Sequence, residues 1–139
     1  MIELVEDRLD IDTYLELRQS VQFRELTRDQ AKKGLSNSLY TLVAFKDGKA
    51  VGMGRIVGDG AIICYVQDLI IRPEVQGEGI GGLILETLKK FVIQEGYEGT
   101  TMMFDLMCAK GREEFYKKHG FIARRFRTWN DSVYSDWFR

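Results

Sequence analysis

The stretch Val66 to Leu85, VQDLIIRPEVQGEGIGGLIL, constrains the chain more than any other. It reads as an apolar strand, a short charged loop, a glycine-rich turn and the start of a helix. At its centre stand Gln76, Gly77, Glu78, Gly79, Ile80 and Gly81. The glycines there let successive backbone N–H groups turn toward one point with no Cβ in the way. Because the turn opens a helix, unsatisfied first-turn N–H groups and the positive end of the helix dipole face that point too. A phosphate or pyrophosphate is its natural guest.

The rest of the chain says how much protein is built around that turn. With 139 residues, 45% of them hydrophobic, it is expected to form one domain that buries roughly two thirds of its unfolded surface. A formal charge of −1, from 20 basic and 21 acidic residues, argues against nucleic acid or an anionic membrane as partner and favours a small neutral or cationic one. The start of the chain, MIELVEDRLDIDTY, lacks the basic-then-apolar pattern of a secretory signal. No apolar run is long enough to span a bilayer, so a cytoplasmic protein is expected. Cys64, Cys108 and His119 suit neither a disulfide framework nor a metal site, and no metal is expected. The two cysteines are expected to be buried and chemically quiet.

Taken in order, Met1 to Val5 is a candidate first strand. Ile11, Tyr14, Leu15, Arg18 and Val21 recur at helical spacing, with Asp10 or Asp12 as the cap. Thr27 and Gln30 resemble a capping box that opens a second helix stopping near Gly34. The link between these helices, Gln22 to Leu26 with Phe23 and Arg24 in it, is a place where a substrate pocket could be lined. Strand-like runs follow at Tyr40 to Phe45, Ala50 to Val57 and Ala61 to Ile71, joined by turns containing Asp47-Gly48 and Gly58-Asp59-Gly60. Asp-Gly between apolar runs signals hairpins, so an antiparallel meander is expected. Beyond the glycine turn, Leu83, Ile84, Thr87, Leu88, Phe91 and Val92 form a helical stripe closed by Gly96. A strand from Thr100 to Leu106 is expected to run parallel to Ala61 to Ile71, because a helix separates them. A helix from Lys110 to His119 and strands at Phe121 to Phe126 and Val133 to Phe138, around an Asn130-Asp131-Ser132 turn, complete the chain. The fold class is α/β in the broad sense (α+β): a mostly antiparallel sheet of six to seven strands flanked by about four helices.

Gly77, Gly79 and Gly82 also satisfy the dinucleotide-binding pattern G-x-G-x-x-G. That fold places the first glycine directly after a parallel strand, whereas here Arg72 to Gln76 intervene and the preceding strands form hairpins. With its flanks, the stretch instead resembles the acyl-coenzyme-A binding motif of the GNAT superfamily of N-acetyltransferases, [Q/R]-x-x-G-x-[G/A] after a strand ending in apolar-x-Pro. Gln76, Gly79 and Gly81 match it in place, as do Ile71-Arg72-Pro73 before it. Downstream, Phe115-Tyr116-Lys117-Lys118-His119-Gly120-Phe121 is similar to the family's F-Y-x-x-x-G-F segment. One departure stands out: the N-x-x-A that often precedes that segment is here Ala109 and Arg112.

The resemblance implies acetyl-CoA as the donor and direct transfer to a primary amine in a ternary complex. A small amine or arylalkylamine is favoured over protein as acceptor, in a monomer or homodimer. It implies that Gln76, Gly77, Glu78, Gly79, Ile80 and Gly81 hold the pyrophosphate. Leu69, Ile70 and Ile71 would line the pantetheine arm on a strand edge splayed from Thr101 to Leu106, with a backbone N–H near Leu69 or Ile70 as oxyanion donor. Tyr116, at the family's tyrosine position, is the candidate acid for the departing thiolate. Asp68 is the candidate base, and fixing a loop or backbone is its structural alternative; water is the other acceptor of the amine proton. Regular strand alternation would put Tyr65 and Gln67 on the face opposite Asp68, so that only one set lines the site. An acyl-CoA binding module without turnover is the competing class. His119, Glu78 and the lysine pairs at 89–90 and 117–118 carry weaker expectations: a variable helix position, a solvent-facing carboxylate and solvated helix faces.

Overall fold

The structure, a computed structural model, describes residues 1–125 and 132–138. Two turns build the centre of its sheet. Asp47 and Gly48 take φ of 51° and 80°, the paired positive values a two-residue hairpin demands. They join β2 (Tyr40–Lys46) to β3 (Lys49–Gly58). In the next turn the Asp59 carboxylate accepts from the N–H groups of Ala61, Ile62 and Ile63 at 2.9, 2.8 and 3.0 Å. Those bonds hold its carboxyl below the ordinary carboxylate range and lead the chain into β4 (Ile63–Ile71).

β1 (Ile2–Glu6) pairs antiparallel with β2. β5 (Met102–Met107) lies parallel to β4, as expected for strands separated by a helix. β6 (Ile122–Arg125) and β7 (Ser132–Phe138) are antiparallel, and β7 inserts beside β5, giving the order β1-β2-β3-β4-β5-β7-β6. The expected mostly antiparallel sheet is therefore present, with seven strands among the described residues. The residues expected to form the Asn130-Asp131 turn and the side chains of Trp129, Tyr134, Trp137 and Phe138 lie outside what is described.

Helices cover both faces. α1 (Ile11–Ser20) is capped by Asp10, which accepts from the Thr13 N–H at 2.8 Å; of the two candidate caps, Asp10 serves. α2 (Arg28–Ser36) opens with the expected capping box, Thr27 Oγ1 accepting from the Gln30 N–H at 3.1 Å while Gln30 Oε1 accepts from the Thr27 N–H at 3.4 Å. Thr27→Ala is expected to cost about 1 kcal/mol and to lower the thermal midpoint by about 3 °C; an unmoved midpoint would show that α2 does not depend on its cap. Tyr14, Leu17 and Ala31 from these helices pack on Val43, Met53 and Ile70.

α3 (Ile80–Glu95) and α4 (Glu113–Lys118) pack on the other face. The buried stripe of α3 is Ile80, Ile84, Leu85, Leu88 and Val92, while Leu83, expected inside, is half exposed. The reason lies in β3: a Cβ on Gly54 would come within 2.9 Å of both Ile84 Cγ2 and Leu88 Cδ1. Gly52 and Gly54 form a trough into which those side chains sink, and the helix rolls to fit it. Phe91 stacks at the edge on Tyr40, their ring centroids 4.3 Å apart. Among the described residues no helix is long and apolar enough to cross a membrane.

Candidate active site

A break in the β3–β4 ladder positions the site. Met53 pairs with Ile70 and Arg55 with Gln67, so Gly54 alone opposes the two residues Asp68 and Leu69. This is a β-bulge, and Asp68 sits in it at φ 56°. The extra residue shifts the alternation by one. Cys64 and Val66 point into the core under α3, whereas Ile70 points into the core under α1 and α2. Tyr65, Gln67 and Asp68 consequently line one cleft together, which corrects the expectation that they occupy opposite faces. Regular alternation holds only for a strand with no inserted residue.

The pairing with β5 ends just before the bulge. The parallel register runs from Ile63 with Met103 to Val66 with Leu106 and stops there. Beyond it, among the described residues, no strand lies on the β5 side of β4 from Gln67 to Ile71, an edge open to an extended ligand except at the Ile71 carbonyl, which accepts from Gln76. The opening is a cleft of about 430 Å³ whose walls include Leu69, Leu106, Cys108 and Tyr116, together with Phe23 from the α1–α2 link. Tyr116 is buried, and burial pushes its hydroxyl up to about 12; it stays protonated over any neutral or mildly basic range. Burial also raises the thiol of Cys108. Cys64 and Cys108 are both free and buried.

A second cavity, of about 450 Å³, lies further along the same edge from Ile71 onward. Its floor is the glycine turn. Gly77 and Gly79 adopt φ of 87° and 85°, values that L side chains rarely reach. Gln76, which lines the cavity, donates through Nε2 to the carbonyl of Ile71 at 3.0 Å, so its side chain braces the loop. The first helical bond is Leu83 N–H to Gly79 O at 3.2 Å, which leaves the N–H groups of Ile80, Gly81 and Gly82 without a carbonyl one turn below. Arg112, Lys118 and His119 form the facing wall, and among the described residues no carboxylate lines it. Glu78 turns away and pairs with Lys46 at 2.6 Å. The donor set is that of an anion site open at a helix start.

Gly81 and Gly82 serve a different end. A Cβ on Gly81 would meet the Phe115 ring at 3.4 Å, and one on Gly82 the His119 ring at 3.4 Å. They let α4 close on the first turn of α3. His119 is held there by Glu86 through Nδ1 at 2.6 Å and by Lys89, which donates to its carbonyl at 2.6 Å.

Asp68, the expected base, is surrounded by donors. Its side chain is 1% exposed. Oδ1 accepts from Arg18 Nη1 at 2.7 Å; Oδ2 accepts from Tyr14 Oη at 2.5 Å and from Arg55 Nε and Nη2 at 3.3 and 3.2 Å. Two guanidiniums and a tyrosine thus converge on one carboxylate beneath the bulge. The sequence carried a signal of this: Arg18 interrupts the apolar stripe of α1 one turn after Tyr14, and a charge on a core-facing stripe needs a buried partner.

Comparison with known proteins places this geometry. Residues 37–123 match the acetyltransferase (GNAT) domain family. An uncharacterized N-acetyltransferase of Pyropia yezoensis is 31% identical over 67% of the chain and 53% of its own length. The chain spans only 29% to 53% of the length of the first curated relatives it matches. A crystal structure of a probable acetyltransferase of unknown function from methicillin-resistant Staphylococcus aureus superposes with a TM-score of 0.80 at 29% identity, covering 88% of this chain and 90% of that one. The PaiA N-acetyltransferase of Thermoplasma acidophilum, solved in complex with coenzyme A, shares the fold at 17% identity, with a TM-score of 0.70 over 98% of each chain. With the glycine turn, the bulged strand and the open β4 edge in place, the chain belongs to the GNAT family of acetyltransferases.

Proposed function

We propose that the protein is an N-acetyltransferase that moves an acetyl group from acetyl-CoA to a primary amine by direct attack in a ternary complex. The observation that carries this is the convergence of Tyr116 and Leu69 on one cleft where the β4–β5 ladder stops, continuous along β4 with the glycine turn. Acetyl-CoA supplies an acetyl group activated as a thioester. Gln76, Gly77, Glu78, Gly79, Ile80 and Gly81 cradle its pyrophosphate through backbone N–H groups, and Arg112 and Lys118 add positive charge from the facing wall. Leu69, Ile70 and Ile71 offer an open strand edge to the amides of the pantetheine arm, and a backbone N–H at Leu69 or Ile70 steadies the carbonyl oxygen as negative charge develops. The C–N bond forms as the C–S bond breaks. Tyr116 gives its hydroxyl proton to the leaving sulfur, the amine nitrogen loses one to water in the cleft, and that proton returns through solvent to the Tyr116 phenolate.

A small amine is the favoured acceptor, a reading supported by a cleft of about 430 Å³ that Phe23 of the α1–α2 link helps to line. Free buried thiols at Cys64 and Cys108 accord with a reducing, cytoplasmic setting. The test is release of free thiol from acetyl-CoA with a panel of small amines. Turnover with at least one amine is the expected result. Tight CoA binding with no turnover on any amine would leave an acyl-CoA binding module instead.

A further inference from the structure

Arg18 is one guanidinium with two attachments. Nη1 donates to Asp68 at 2.7 Å and Nη2 to the backbone carbonyl of Arg24 at 2.9 Å. The same group lies 5.3 Å from the ring centroid of Phe23. Asp68 belongs to the bulge that opens the cleft, whereas Phe23 and Arg24 belong to the link between α1 and α2. Phe23 lines the cleft and is 44% exposed. On the other side of the carboxylate, Arg55 continues through Nη1 to the carbonyl of Gly34 at 3.2 Å and to Ser38 Oγ at 3.1 Å. Asp68 therefore stands between two guanidiniums, one reaching the α1–α2 link and the other the C-terminal end of α2. Both of its oxygens are engaged, so an amine could reach it only by displacing a guanidinium or Tyr14.

We propose that Asp68 is a positioning residue: through Arg18 it pins the 21–27 link, with Phe23, over the open edge of β4, and so shapes the acceptor wall rather than removing the amine proton. The carboxylate is suited to this because Oδ1 alone meets Arg18, leaving the Arg18 fork free to span 21–27 and the bulge together. The kinetic consequence rests on the acyl-transfer function proposed above; the mechanical one does not.

The test is backbone amide exchange on the full chain without ligand, paired with kinetics. Asp68→Asn and Arg18→Lys are both expected to speed exchange in residues 21–27 by about tenfold. Lysine keeps the charge, but a single ammonium cannot serve Asp68 and the Arg24 carbonyl as a fork does. Tyr14→Phe removes a bond to the same carboxylate without touching Arg24 and is expected to leave that exchange within about twofold. With an amine the wild type turns over, Asp68→Asn is expected to raise the amine KM about tenfold, to keep kcat within about threefold, and to retain the acid limb of the pH–rate profile. Unchanged exchange at 21–27 in Arg18→Lys would overturn the proposal. So would collapse of kcat in Asp68→Asn with loss of the acid limb, the signature of a base. If the wild type turns over no amine, the acyl-transfer function fails, and the exchange comparison still decides whether the pin exists.

Discussion

Replacing Tyr116 by phenylalanine is expected to lower kcat for thiol release by about a hundredfold or more, the scale of a lost general acid, with little change in CoA affinity. The side chain is buried in the cleft wall beside Cys108, and phenylalanine keeps the ring while removing the hydroxyl that carries the proton. Ring contacts to Phe115 and Phe121, with centroids 5.1 and 6.0 Å away, would persist, and an unmoved thermal midpoint in Tyr116→Phe is the control that assigns the loss to chemistry. The pH behaviour follows from the same burial. With the folded hydroxyl pushed up to about 12 against an unfolded value of about 10, Tyr116 creates no basic limb in the rate profile at usable pH. Its contribution to stability is whole below about pH 10 and is lost as pH rises toward 12, because there the unfolded chain binds fewer protons than the folded one. A wild-type rate that falls through pH 9 and is flat in Tyr116→Phe would contradict this assignment.

The largest stability loss is expected at Asp68→Ala. Removing the carboxylate leaves Arg18 and Arg55, whose side chains are only 12% and 11% exposed, facing each other without a counter-charge. Breaking a buried ion pair by deleting one partner costs about 3–5 kcal/mol, which for a chain of this size lowers the thermal midpoint by roughly 10 °C. Alanine must also hold the φ of 56° that the bulge imposes. Because Arg18 and Asp68 share one bond, Asp68→Ala combined with Arg18→Met should cost clearly less than the sum of the two. Additive costs in thermal or urea unfolding would show that the pair is not coupled.

Much of the architecture was legible because local chemistry and fold agree. Asp47-Gly48 can close a two-residue hairpin, Thr27 and Gln30 can cap only a helix start, and Gln76 to Gly81 form an anion turn wherever a helix follows. The bulge at Asp68 was not legible. Nothing in Gln67-Asp68-Leu69 announces an inserted residue; the cause lies across the ladder at Gly54 and beneath it at Tyr14, Arg18 and Arg55, contacts that come from 13 to 54 residues away in the chain. That one residue decides which side chains share the cleft, so a site inferred from alternation misplaces Tyr65 and Gln67. The roll of α3 was hidden for a similar reason. Its apolar positions exceed what one face can bury, and the trough at Gly52 and Gly54 selects among them.

The account stands on one ligand lying across two features, the glycine turn and the open edge of β4. The most direct measurement is amide exchange with and without CoA, read at residues 76–82 and at residues 67–71. Slowed exchange in both stretches is expected, since the phosphates occupy the helix-start N–H groups while the arm pairs with the unladdered strand. Protection confined to 76–82, with 67–71 unchanged under saturating CoA, would contradict it.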